Sequence, residues 1–291
     1  MTADVTAAVP RISIVLSFRD AGPTLDDALT SLRWQTETDW ELIAIDDGSR
    51  DGSSKRPGLL GDERIHVIRH ECSAGLAARL NEGVALARGL YIARMDADDV
   101  AFPQRLQVQA DFLDDHPEVD LLASSVLLID NRGEPLSVIA SPATHERIVN
   151  RAALNFPMPH PTWMGRADWF REHGYDERAL KAQDQHLLYR THRSSRFAAI
   201  EAPLLAYRYD RLSVRKTTVG RYHFLRALWS HGSARDIVLG TMLHALAAAR
   251  DLLAMVFGLD REVMRRRGGA IPATLRSEWN ELKRQLEAAR S

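Results

Sequence analysis

The chain has 291 residues, 45% of them hydrophobic and 26% charged, a globular composition that excludes disordered, collagen-like and coiled-coil classes. Its 38 Lys+Arg against 39 Asp+Glu leave a formal net charge of −1, so no whole-chain field draws nucleic acid and no nucleic-acid partner is expected. The single cysteine, Cys72, cannot close an intrachain disulfide or build a thiolate zinc cage; with no signal-like run between Met1 and Pro10, a cytoplasmic protein is expected.

From Ile12 onward, short apolar runs alternate with helical periods, the pattern of an α/β domain. Ile12 to Ser17 reads as a buried strand, Thr24 to Trp34 as a helix burying Leu25, Ala28, Leu29 and Leu32, and Trp40 to Ile45 as a second strand. Ile65 to Ile68 makes a third. Gly75 to Arg88 reads as a helix, with Gly89 as its left-handed C-terminal stop. Tyr91 to Met95 returns to the sheet, Pro103 opens the helix carrying Leu106 and Leu113, Val119 to Ile129 is a further strand, and Asp130 to Gly133 is a turn. His145 to Arg215 is less regular, its prolines 157, 159 and 161 forcing extended backbone, and reads as a functional loop.

Residues 220–291 hold 12 Lys+Arg against 7 Asp+Glu. Ile237 to Leu259 is mostly apolar, but His244, Arg250 and Asp251 argue against a membrane span, each charge near a bilayer centre costing about 2.5–3.5 kcal/mol on insertion scales. A buried or interfacial helix is expected, and Arg265, Arg266 and Arg267 after it suit an anionic lipid surface.

Two acidic constellations follow predicted strands, where open α/β sheets place ligands. Asp46-Asp47-Gly48-Ser49-Arg50-Asp51-Gly52 offers carboxylates suited to the N–H and hydroxyl donors of a base edge or a ribose; an acidic surface turn is the alternative. Asp96-Ala97-Asp98 places two carboxylates on one face of a strand. Hard divalent cations, Mg²⁺ or Mn²⁺, take such oxygens and complete their shell with substrate phosphates. Between the two turns, Arg79 is a candidate cation for a diphosphate.

These residues resemble the family 2 glycosyltransferases: Ile12 to Phe18, the acidic turn at Asp46 to Gly52, the helix from Gly75, and the run from Tyr91 to Asp99 followed by Pro103, Arg105 and Leu106. The resemblance covers roughly residues 10–215 and implies a GT-A fold, a Rossmann-like mixed sheet flanked by helices; residues 216–291, beyond it, read from their change in composition as a C-terminal helical extension, a candidate for membrane or partner association. It implies a nucleotide-diphospho-sugar donor, a saccharide or lipid-linked acceptor, Mn²⁺ or Mg²⁺, and inversion at the anomeric carbon. By position, Ser17, Asp46 and Asp47 would line the nucleoside pocket, Arg79 would face the diphosphate, Asp96 would approach the ribose or sugar and serve the metal, and Asp98 would be the principal metal ligand. The general base maps to Asp184, in Ala182-Gln183-Asp184, with Gln183 standing where the family usually has an acid. His160 is a further metal or sugar contact, and Arg208, Arg211 and Arg215 fall where the family has a mobile cationic lid. The setting implied is cell-surface polysaccharide or lipid-linked oligosaccharide synthesis.

A nucleotidyltransferase needs a glycine-rich basic loop after the first strand, and Phe18 to Pro23 has one glycine and a proline there. A non-catalytic sugar-nucleotide binder, or a membrane-docking partner, in a polysaccharide assembly complex is the other alternative, to which Gln183 points.

Overall fold

The computed structural model describes residues 9–56, 61–209, 214–256 and 268–290. Nine strands form one mixed sheet: β1 (Ile12–Phe18), β2 (Trp40–Asp46), β3 (Ile65–Arg69), β4 (Tyr91–Asp96), β5 (Val100–Ala101), β6 (Leu121–Ile129), β7 (Pro135–Ile139), β8 (Met164–Arg166) and β9 (Phe197–Arg208). Their order is β3-β2-β1-β4-β8-β6-β9-β5, with β7 on β6. The first half, β3 to β4, is parallel; β8 then pairs antiparallel with both β4 and β6. The carboxyl ends of β1, β2 and β4 therefore lie side by side, Ser17 in register with both Ile45 and Asp96.

Alternation along the strands divides the core. Ile12, Ile14 and Leu16 of β1, with Leu42 and Ala44 of β2, pack against Leu25 and Leu29 of α1 (Thr24–Arg33) and Leu106 of α3 (Arg105–Asp115). Val15, Ile43 and Ile45 face the other way, toward Leu80 and Val84 of α2 (Leu76–Leu86). α2 sits close enough that a Cβ on Gly83 would come within 2.4 Å of Val15, which explains a glycine in mid-helix despite its intrinsic penalty of about 1 kcal/mol.

The predicted strands and helices to Ile129 are present with small changes at their ends. Gly89 is not the left-handed stop of α2, since it is absent from the positive-φ residues; it is small because a Cβ there would lie 2.6 Å from the Ser13 nitrogen. Pro103 precedes α3 by two residues, and Gln104 occupies the N-cap. The stretch read as an irregular functional loop is largely built structure: α4 (His145–Val149), β8, α5 (Ala167–Glu172), α6 (Gln183–Thr191) and β9. The parallel pairing of β6 and β9 slips at Ser124/Ser125, and Glu201, exposed, lies in the skipped part of β9 just before Pro203.

Two further helices, α7 (Val214–His231) and α8 (Ala234–Val256), follow, α7 packing on α6 and α8 on α7. No helix among the described residues is long and apolar enough to cross a membrane. The last helix, α9 (Ala273–Ala289), completes a core of its own: Leu275, Trp279, Leu282 and Leu286 pack with Val100, Phe102, Leu127 and Ile129. Trp279 also donates its indole N–H to Gly133 O (2.9 Å). Arg211, the side chain of Arg215, and Arg265 to Arg267 lie outside the described residues.

Candidate active site

At the end of β4 the side chains of Asp96, Asp98 and Asp99 bring carboxylate oxygens within 4.8 Å of one another. Asp98 is exposed, Asp96 half-buried and Asp99 fully buried. Asp99 Oδ1 accepts the backbone N–H of Arg208 (2.8 Å), while its buried Oδ2 has no partner. Desolvation and then the neighbouring carboxylates push Asp99 well above the usual carboxylate range, and the same two causes raise Asp98. Three like charges this close call for a compensating cation.

One cation is built in. Arg94, on β4 and 3% exposed, pairs with Asp96, yet its Nε and Nη1 are buried without a partner. Beneath it, Arg105 donates to the carbonyls of Arg94 (2.6 Å) and Pro161 (2.8 Å) and to Gln109 (3.0 Å). Burial lowers the Arg105 pKa to about 9. This buried guanidinium ties β4 to the segment carrying His160.

Asp184 is the second residue of α6, which starts from Ala182 in a left-handed conformation (φ 55°). Gln185 grips the backbone of Phe156 through both its amide atoms (2.7 and 3.2 Å) and donates weakly to Asp184 Oδ2 (3.4 Å). Burial raises the Asp184 pKa, against hydrogen bonds from Gln185 and the charge of Arg94. Burial, above all, raises the pKa of the Tyr175 hydroxyl, with smaller contributions from the carboxylates of Asp184 and Asp96; Asp184 is not among the residues that wall the cavity over the β4 cluster.

A cavity of about 410 Å³ opens over the cluster, walled by Ser17, Asp20, Thr24, Asp96, Asp98 and Arg208 among others. A second, of about 650 Å³, lies at the amino end of β4 beside Gly89, Arg166 and Asp168; among the described residues, only the β4 cluster brings three potential metal-ligand side chains together.

The model of glycosyl transferase family 2 matches residues 13–174. The chain belongs to that family. Among curated relatives, the chain is 33% identical over 165 residues to putative glycosyltransferase EpsE of Bacillus subtilis, covering 56% of this chain and 58% of that one. To the uncharacterized glycosyltransferase MJ1057 of Methanocaldococcus jannaschii it is 27% identical over 233 residues, 76% and 80% of the two chains. Among solved structures, S. aureus TarS 1-349 in complex with UDP-GlcNAc matches with a TM-score of 0.57 at 17% identity, covering 94% of this chain and 79% of that one; the UDP complex gives 0.58 at 19%, covering 81% and 70%. The chain has the GT-A fold.

Within that fold, Ser17, Asp96, Asp98 and Arg208 stand on the cavity wall, whereas Asp46, Asp47 and Arg79 are engaged by the chain itself. Asp47 turns inward. Its Oδ1 accepts Ala74 N (2.8 Å) and Arg79 Nε (2.7 Å), its Oδ2 Ser73 Oγ (2.5 Å) and Gly75 N (3.1 Å), so all of roughly four acceptor positions are filled by the chain itself. Arg79 pairs with Asp47, its remaining nitrogens going to Glu82 (3.1 Å) and Cys72 O (3.0 Å). Asp46, 3% exposed, accepts the Ser49 N–H (2.8 Å) and closes the turn.

His160 is not part of the β4 carboxylate cluster. It is 8% exposed, its Nε2 is shared with Tyr175 Oη (2.8 Å), and its ring sits edge-on to Trp163. Burial, then the charge of Arg94, depress its pKa well below the usual value and keep it neutral. Arg208 is the last residue of β9 rather than part of a mobile lid, with Nε on Asp98 O (2.9 Å) and Nη1 on Asp130 O (3.3 Å). Sequence reasoning assigned no role to Asp99, Arg94 or Asp20; for Asp99 the signal was its place beside Asp98, and for the other two there was none.

Proposed function

We propose that the transferase moves a sugar from a nucleotide-diphospho-sugar to an acceptor hydroxyl, inverting the anomeric carbon. What carries the reading is the carboxylate cluster of β4 opening on a cavity walled by Ser17, Asp96, Asp98 and Arg208. The cluster fits Mn²⁺ or Mg²⁺: it offers hard oxygens, and Asp99 Oδ2 is buried with no other partner. Asp98, at the mouth, would be the principal ligand, with Asp96 and Asp99 behind it. Bound there, the cation would neutralise charge gathering on the departing diphosphate.

The chain's own groups do the rest. Ser17, at the end of β1, and Asp96 line the donor side. Arg94 holds Asp96 in place, and Arg208 donates its Nε–H to the Asp98 carbonyl and its backbone N–H to the Asp99 carboxylate. Asp184 accepts the proton of the acceptor hydroxyl as that oxygen attacks the anomeric carbon; a carboxylate made more basic by burial is better matched to this task near neutral pH. The acceptor is a saccharide or lipid-linked hydroxyl of cell-surface polysaccharide or lipid-linked oligosaccharide synthesis on the cytoplasmic side. UDP and UDP-GlcNAc, bound by TarS, are the first donors to try.

The test is incubation of the full chain with a panel of nucleotide sugars, Mn²⁺ and glycan acceptors, reading nucleoside diphosphate release and the product's anomeric configuration by NMR. Release with inversion is expected. A retained configuration, or nucleotide binding without turnover on any acceptor, would replace this reading, the latter by a non-catalytic sugar-nucleotide binder.

A further inference from the structure

Helix α8 buries one face and leaves the other bare. Gly240 and His244 meet α7: a Cβ on Gly240 would lie 2.5 Å from Leu228, and the His244 ring is 5.0 Å from that of Phe224. On the far side Val238, Met242, Leu246 and Leu253 are 53–71% exposed, with Ala245 and Ala249 between them. Their spacing puts them in one stripe about 23 Å long. Single exposed apolar residues are ordinary, but a contiguous stripe marks an interaction surface.

Charge says what covers it. Arg235 and Arg250 stand exposed at its two ends. The acids of α8 are both spoken for: Asp236 meets Arg193 (3.1 Å) and Tyr189 (3.1 Å), and Asp251 is 3% exposed and pairs with Arg221 and with Arg250 (2.7 Å). The face is therefore apolar with a cationic rim. Two copies of α8 packed on each other would bring arginines to arginines with both acids of the helix already paired, whereas an anionic lipid surface matches both features. Since no described helix can span a bilayer, the helix would lie along the interface.

We propose that the Val238–Leu253 face of α8 docks the protein on an anionic membrane surface, its apolar stripe among the acyl chains and Arg235 and Arg250 at the headgroups. The proposal stands apart from the transfer reaction, because its readout is binding to lipid.

The experiment is co-sedimentation of the full chain with phosphatidylglycerol/phosphatidylcholine vesicles, phosphatidylcholine vesicles, and no vesicles. Sedimentation with the anionic vesicles, weakened by salt, is expected. Met242→Glu with Leu246→Glu should lower the bound fraction at least about tenfold, since each removes an apolar side chain from the contact. Thermal unfolding of this variant should match wild type, because neither residue packs in the core. As a second readout, the emission of a Leu246→Trp variant should shift to the blue on anionic vesicles. No sedimentation above the vesicle-free control, no emission shift, equal binding by the double variant, or a wild-type dimer that the double variant makes monomeric would overturn the proposal; the last would assign the face to a second copy.

Discussion

Asp184→Asn should leave the fold unchanged and lower kcat by about 10²–10⁴-fold, the usual contribution of a general base. The substitution keeps size and an oxygen for the Gln185 amide, so α6 keeps its start at Ala182. It removes the proton acceptor and should move donor KM little. The pH dependence has a defined sign. Burial raises the Asp184 pKa, and a base works only when ionised, so kcat/KM of the wild type falls as pH falls through a value above the ordinary aspartate figure of about 3.9. That acid limb should vanish from the residual activity of Asp184→Asn. Retention of half the wild-type turnover, with the limb in place, would remove Asp184 from the reaction.

The second large effect concerns stability. Arg79→Ala should destabilise the protein by about 3 kcal/mol in denaturant titrations, because it strands the carboxylate of Asp47, 7% exposed, without its ion-pair partner. Three donors to Asp47 remain, which places the loss at the low end of that class. Although burial alone would raise the Asp47 pKa, its hydrogen bonds from Ser73, Ala74, Arg79 and Gly75 hold it below the usual range. A depressed folded value contributes stability that is present above about 3.9 and lost as pH falls through the folded pKa, so the wild-type advantage over Arg79→Ala should shrink on acidification. A variant with unchanged stability but weakened nucleotide binding would restore Arg79 to the diphosphate.

Asp47 and Arg79 also show where reading a sequence stops. The acidic turn after β2 and the arginine on α2 were both visible, and both looked like ligand groups, since donors for a carboxylate are as easily imagined on a substrate as on the chain. That Ser73, Ala74 and Gly75 supply them depends on α2 docking beside β2, a contact across 26–28 residues. Local periodicity was enough for β1, α1, β2, α2, β4 and β6, because each is a continuous apolar run or helical stripe buried on known faces.

β8 and β9 were not legible. β8 has three residues, too few for an alternation to register, and β9 crosses Pro203 at its slip, which breaks the strand pattern. The arginines beneath the site were hidden for a related reason. Nothing local distinguishes Arg94 or Arg105 from a solvated cation; their burial follows only from β8 and the His160 segment closing over β4. Asp98 and Asp184, by contrast, came from motif positions; the structure adds that Asp98 lies on the cavity wall and that Asp184 is half-buried in the first turn of α6. The last helix was read as part of an extension, yet Trp279 lies in the core beside Phe102, a packing set by tertiary contacts about 177 residues apart in a chain whose periodicity carries no such information.

The measurement closest to the central claim is thermal stabilisation of wild type and Asp98→Asn by a panel of nucleoside diphosphates with Mn²⁺, each compared with nucleotide or metal alone. At least one nucleotide with metal should raise the wild-type melting temperature, a ligand at 100 times its Kd adding about 2.7 kcal/mol, and the rise should be lost in the variant. Equal stabilisation of both proteins, or of neither, would contradict a donor site built on the carboxylates at the end of β4.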